Sequence, residues 1–211
     1  MVGQNASFFF FFQQLKTALD AFAPSKWKLN PEDGAFYGPK VDFQLTDELG
    51  RTHQCATIQL DFQLPIRFNL QFQAADGSLK RPVMIHRAIL GSLERMIALL
   101  TEQYAGKWPF WLSPRQVMVI PGGVANYAYG KEIMIRLKAK NFYCDVDLSD
   151  ATFAKKIRTA QVEQYNFLLV VGDQEQKENT INVRTRDGVV HGTRKLEEII
   201  QDFQKLLETK K

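Results

Sequence analysis

Arg81-Pro-Val-Met-Ile-His-Arg-Ala-Ile-Leu-Gly-Ser-Leu-Glu-Arg95 is the stretch on which the reading of this chain turns. Val83, Met84 and Ile85 form an apolar run that predicts a strand, and Ile89, Leu93, Met96, Ile97 and Leu100 recur at helical spacing beyond it. That reading puts Gly91 and Arg95, four apart, on one helix face. Glycine in a helix interior costs about 1 kcal/mol relative to alanine. It leaves bare backbone on which a flat or anionic ligand can lie beneath a guanidinium that stays charged. The same spacing also fits a glycine that admits a neighbouring element, next to a solvated or ion-paired arginine.

Around this stretch the chain has two rhythms. From Lys28 to Phe72 it reads as antiparallel strands: Val41 to Leu45 alternates, Asp47-Glu-Leu-Gly50 turns, Thr57 to Phe62 returns, and Asp76-Gly77 marks a further hairpin. A helix around Arg95 then packs one apolar stripe, ending near Thr101. Lys107-Trp-Pro-Phe-Trp-Leu-Ser-Pro114 is a boundary, with two prolines breaking regular structure and Trp108, Phe110 and Trp111 as anchors. Beyond it strands at Gln116–Ile120, Tyr143–Val146, Phe167–Val171 and Thr180–Arg186 alternate with helices at Asn126–Lys138, Thr152–Gln164 and Thr193–Leu207. That alternation predicts an α/β layer with a mixed, mostly parallel sheet.

Composition is that of an ordinary globular chain: 45% hydrophobic and 24% charged over 211 residues. No run reaches the ~18 apolar residues of a membrane span. Cys55 and Cys144 are far apart and read as reduced thiols. Of the net charge of +4, +3 falls in residues 113–211 (16 Lys+Arg against 13 Asp+Glu), a modest bias toward nucleic acid that a solvated surface also explains. Phe8 to Phe12 lack the flanks of a signal peptide, so residues 1–12 are read as an atypical leader.

The blocks carry a resemblance. Arg81–Arg95 resembles motif 3 of the class II aminoacyl-tRNA synthetases in its threonyl form, and His53-Gln-Cys-Ala-Thr-Ile-Gln-Leu-Asp-Phe-Gln-Leu-Pro65 resembles the strand before it. Asp33-Gly-Ala-Phe-Tyr-Gly-Pro-Lys40 is similar to a third block of that catalytic domain, and Ser113–Lys211 to the anticodon-binding domain of the same enzymes. The wording is nearest to eukaryotic cytosolic forms. The resemblance implies an α+β part of the catalytic domain, an antiparallel sheet with a helix, at 13–112, and an α/β anticodon-binding domain at 113–211. It implies a cytoplasmic threonine–tRNA ligase that joins threonine to ATP as an adenylate and transfers it to tRNA(Thr), with homodimeric parents.

By the same resemblance Arg95 contacts the ATP γ-phosphate, Gln54 and Gln59 with Thr57 face the ATP and the reacting centre, and Tyr37, Lys40, Gly91 and Ser92 line the site. Gln54, Thr57 and Gln59 do not share one parity, so a flat strand cannot aim all three together and a bulge or an end effect is needed. Each glutamine also reads as an exposed strand residue. His86 matches a zinc ligand that senses threonine's hydroxyl, whose partners in the family are a cysteine and a histidine earlier than the matched stretch. One ligand of three predicts poor zinc binding. Magnesium would accompany ATP. Motifs 1 and 2, the dimer and α-phosphate elements, have no counterpart in these 211 residues, so little activity is expected of them alone.

In the second half, Lys155 and Arg158 lie on a helix whose apolar side is Phe153, Ile157 and Ala160, and can face RNA or simply solvent. Glu175 and Arg184 match anticodon-reading residues, while Asp150 stands where some bacterial relatives carry asparagine. Two rival readings remain. One is a non-catalytic tRNA-binding module derived from such an enzyme; the other is an α/β protein unrelated to RNA.

Overall fold

The computed structural model describes residues 2–31 and 33–211, the side chains of residues 2–9 and 11 excepted. The chain forms two compact units, Met1–Leu100 and Thr101–Lys211. Among the described residues no helix is long and apolar enough to cross a membrane.

The first unit opens on α1 (Val2–Phe22), whose backbone runs straight through the phenylalanine stretch. The side chains of Phe8, Phe9 and Phe11 lie outside the described residues. Then come β1 (Lys40–Thr46), β2 (Thr52–Asp61), the short α2 (Leu64–Arg67), β3 (Phe72–Gln73), β4 (Leu79–Lys80), β5 (Met84–Ala88) and α3 (Leu93–Tyr104), whose last turn lies in the second unit. β1, β2 and β5 form an antiparallel sheet in that order. β2 begins at Thr52, five residues before the expected start, because Asp47 closes the turn tightly: its carboxylate accepts from the amides of Leu49 and Arg51. β3 and β4 pair across the Asp76-Gly77 turn.

α3 departs from expectation. It starts at Leu93, so Gly91 and Arg95 share no helix face. Gly91 stands before the helix with φ of +71°, and a Cβ there would overlap the Cys55 carbonyl. The glycine is required by a left-handed backbone and by close approach to β2, not by a ligand lying on it. Nor does α3 bury a stripe: no residue of it is fully buried, and Leu93 and Ile97 are largely exposed.

The second unit holds β6 (Val117–Pro121), a 3-10 turn (Val124–Asn126), α4 (Tyr127–Lys138), β7 (Cys144–Val146), α5 (Phe153–Val162), β8 (Phe167–Val171), α6 (Asp173–Glu178), β9 (Ile181–Thr185), β10 (Val190–Arg194) and α7 (Leu196–Thr209). The sheet order is β10-β9-β8-β6-β7. β6 pairs in parallel with β7 and β8, while β9 runs antiparallel to both its neighbours, so four of the five strands point one way. Both faces are covered. Val117, Val119, Leu169 and Val171 join Ile133, Leu137, Ile199 and Phe203 on one side; Ile120, Leu168 and Val170 join Ala160 and Tyr165 on the other. This is why β6 and β8 read as unbroken apolar runs.

Three expectations are corrected here. Thr193 and Arg194 belong to β10, because Gly192 (φ +85°) and the bulge beside it let the chain return along β9 before α7 begins. α6 is an added helix, six residues long and closed by Asn179 in the left-handed region. Of the three proline-flanked aromatics only Phe110 enters the core, at 2% exposure; Trp111 is exposed and uses its backbone N–H to reach the Lys211 carbonyl. Both cysteines are buried and free, and burial, with Asp145 adjacent, pushes the Cys144 thiol up to about 12.

Candidate functional site

In the first unit the polar residues singled out from the sequence gather on one face of the β1-β2-β5 sheet. The register sets Lys40 opposite Gln59, Asp42 opposite Thr57, and Gln59 opposite His86. Between the pairs Asp42–Thr57 and Gln44–Gln54 the register slips by one, since Cys55 and Ala56 face only Phe43. This is the bulge that the parity of the three residues requires. It lets Gln54 Nε2 and Thr57 Oγ1 both donate to Asp42 Oδ1, at 2.8 and 2.7 Å. Lys40 Nζ holds the other carboxylate oxygen at 2.7 Å.

Tyr37 reaches the same face because Phe62 N–H and Leu60 N–H bond back to the carbonyls of Tyr37 and Pro39. Gly38 permits this, since a Cβ would overlap the Leu60 carbonyl. Tyr37 Oη then donates to Gln59 Oε1 at 2.9 Å, with its ring edge-on to His86. His86 Nε2 meets Asp61 Oδ2 at 2.9 Å, and Asp61 Oδ1 accepts from the amides of Gln63 and Leu64. Asp61, only 2% exposed, was not singled out from the sequence; its spacing two residues from Gln59 is the signal that would have found it.

Gly91, Ser92 and Arg95 do not join this network through side chains. Ser92 caps α3, its Oγ accepting from the Arg95 N–H at 3.3 Å. The Arg95 guanidinium is exposed and makes no ion pair among the described residues. Its tie to the sheet is through Gly91, which rests on Cys55 at the bulge.

Asp42 is pushed up by burial, but the bonds from Lys40 and Thr57 outweigh this and hold its carboxyl below the ordinary value. A carboxyl with a lower pKa folded than unfolded adds stability above the unfolded value, and that stability is lost as pH falls through the folded one. Carboxyl carbon NMR should therefore show Asp42 titrating below the ~3.9 of free aspartate. A midpoint at or above it would contradict the three-donor network.

In the second unit Glu175, on α6, and Arg184, on β9, line one pocket of about 290 Å³ with Phe153, Val170, Gly172 and Asn182. Glu175 Oε2 accepts from Gly172 N–H at 2.9 Å, and Arg184 Nε donates to Asn182 Oδ1 at 3.1 Å. Buried Asn126 holds α6 in place through Asp173 and Gln176. Lys155 and Arg158 are exposed on α5 and do not line the pocket. The packed side of α5 is also corrected: Lys156 is buried, its Nζ donating to the Asp147 carbonyl at 3.1 Å over the Tyr127 ring, while Phe153 is exposed on the pocket rim. Asp150 is exposed in the loop after β7.

Comparison with known proteins fits this arrangement. Residues 6–104 match the family model of the tRNA synthetase class II core domain (G, H, P, S and T), and residues 116–206 that of the anticodon binding domain. The chain is 57% identical over 200 residues to the mouse cytoplasmic threonine–tRNA ligase 1, covering 94% of this chain and 28% of that protein. The human counterpart is 57% identical over 198 residues. This chain belongs to the threonyl-tRNA synthetase family. A crystal structure of the RNA binding domain of threonyl-tRNA synthetase from Cryptosporidium parvum superposes with a TM-score of 0.81 at 45% identity, over 96% of this chain and 51% of that one. The chain thus spans little more than a quarter of the length of the curated threonyl-tRNA synthetases it matches.

Within the threonyl-tRNA synthetase frame, the donor set in this chain does not fit zinc by itself. His86 has Nε2 engaged by Asp61 and offers one ring nitrogen, and among the described residues no three His, Cys, Asp or Glu groups converge. Asp42, the carboxylate amid the candidate residues, is already engaged by three donors, Lys40, Gln54 and Thr57, so it is poorly suited to hold magnesium as it stands.

Proposed function

We propose that this chain is the C-terminal part of a cytoplasmic threonine–tRNA ligase, with catalytic-domain residues at 13–112 and an anticodon-binding domain at 113–211. In that enzyme ATP with magnesium and threonine give threonyl-adenylate, and the threonyl group passes to tRNA(Thr); the parents are homodimers. The polar face of the first unit is suited to holding a nucleotide. Gln54, Thr57 and Gln59 are aimed together by the bulge, Tyr37 orients Gln59, and the exposed Arg95, unpaired among the described residues, offers its fork of donors to a phosphate. In the assembled enzyme His86 would give zinc one nitrogen, with Asp61 fixing the ring.

The observation that best supports the reading is the pocket where Glu175 and Arg184 converge. Among the described residues, a carboxylate with one unbonded oxygen and a guanidinium with both Nη groups unbonded suit the edge of an unstacked base. Lys155 and Arg158 suit the phosphates outside it. Binding of a tRNA(Thr) transcript should weaken about ten- to a hundredfold in Arg184→Ala. In Lys155→Ala/Arg158→Ala the salt dependence should flatten by about two counter-ions. Unchanged affinity in both variants would refute the RNA role.

A second reading, a tRNA-binding module without catalysis, is favoured for the 211-residue polypeptide by one contrast. The second unit has a full core, whereas in the first Phe36, Phe68, Ile85 and Leu93 stay exposed. Threonine-dependent ATP–pyrophosphate exchange by this polypeptide would exclude that reading; tRNA binding without exchange would support it.

A further inference from the structure

We propose that Phe153 is the stacking platform of the second unit's pocket, receiving the face of one unstacked nucleobase whose edge meets Glu175 and Arg184. This rests on the tRNA reading above and adds a residue that reading did not contain. Helical periodicity would bury Phe153, yet Lys156 takes the inward position and Phe153 is left 37% exposed at the first residue of α5. Among the described residues its ring has no aromatic partner, unlike the rings of Phe110, Phe142, Phe167 and Phe203.

The surroundings explain what such a ring could do. The pocket, about 290 Å³, sits at the bottom of the ~300–1,000 Å³ range of small-molecule sites and has room for one ring system rather than a length of chain. Its polar groups are already oriented by internal bonds: Gly172 fixes one Glu175 oxygen, and Asn182 fixes Arg184 Nε. The atoms left over address the edge of a flat ligand and leave its face uncovered. Phe153 is the aromatic residue among those lining the pocket, and Gly172 keeps backbone, not a side chain, beside it. Every base has a π-face, so a ring here adds affinity without choosing sequence, while the edge contacts choose.

The test uses the full chain and a threonine-tRNA anticodon stem-loop with 2-aminopurine placed at one anticodon position at a time. Wild type should quench the fluorescence at one position on binding. Phe153→Leu, which keeps an apolar side chain but no ring face, should lose that quench and bind about tenfold more weakly. Phe153→Trp should retain both, with thermal melts matched across the variants. Quenching and affinity that survive in Phe153→Leu would overturn the proposal, as would a wild type that binds without quenching at any position. A wild type that fails to bind the stem-loop overturns the tRNA reading and this inference together.

Discussion

Phe203→Ala should destabilise the second unit by about 3–5 kcal/mol, the usual cost of emptying a buried phenylalanine site. Phe203 is 1% exposed and stands at the hub of an aromatic cluster. Its ring centroid lies 4.8 Å from Phe167, 4.9 Å from Phe110 and 5.5 Å from Phe142. Those three arrive from β8, the segment before β6 and the segment before β7, so the cavity would open where three separate parts of the chain meet α7. No one neighbour can collapse into it without leaving another. Thermal unfolding should move down by about 10 °C or more, and Phe203→Leu should recover a large part of the loss. A drop under about 1 kcal/mol would mean the cluster repacks freely, contrary to the close packing of protein interiors.

Gly91→Ala should disrupt the first unit by about 2 kcal/mol or more, from two additive causes. A φ of +71° strains any residue with a Cβ. The new methyl would also meet the Cys55 carbonyl, which belongs to a hydrogen-bonded strand and cannot swing aside. The consequence should be local. Hydrogen exchange in peptides covering Thr52–Asp61 and Leu93–Tyr104 should quicken, while Val117–Pro121 and Phe167–Val171 keep wild-type protection. Wild-type exchange in the first pair would show that the contact is not holding the start of α3.

These two residues also mark where the sequence was and was not legible. Period-two alternation and turn residues found β1, its turn and the β3–β4 hairpin, and unbroken apolar runs found β6 and β8, because those signals are local. The conflict of parity among Gln54, Thr57 and Gln59 pointed to a bulge, since side-chain direction in a strand follows count alone. Gly91 misled because helical spacing continues through it, whereas its role depends on Cys55, 36 positions earlier. Phe153 and Lys156 misled for a related reason. Hydrophobicity ranks phenylalanine inward, but Lys156 finds a carbonyl and the Tyr127 ring to satisfy its ammonium. β10 was hidden by its exposed, polar composition, which on an edge strand carries little alternation.

The Cys55-Ala56 bulge makes the first hairpin intolerant of changes in length rather than in chemistry. Substitutions at either residue leave the extra position in place, and Gln54 still turns toward Asp42. Removing one residue would put Gln54 and Thr57 two apart on a regular ladder, still on one face of β2, but would flatten the local bend that the extra residue gives the strand. The same loss would draw Cys55 away from Gly91 and so shift the anchor of α3. Over divergence, this hairpin should vary in its residues while keeping the count between Asp42 and Thr57 constant.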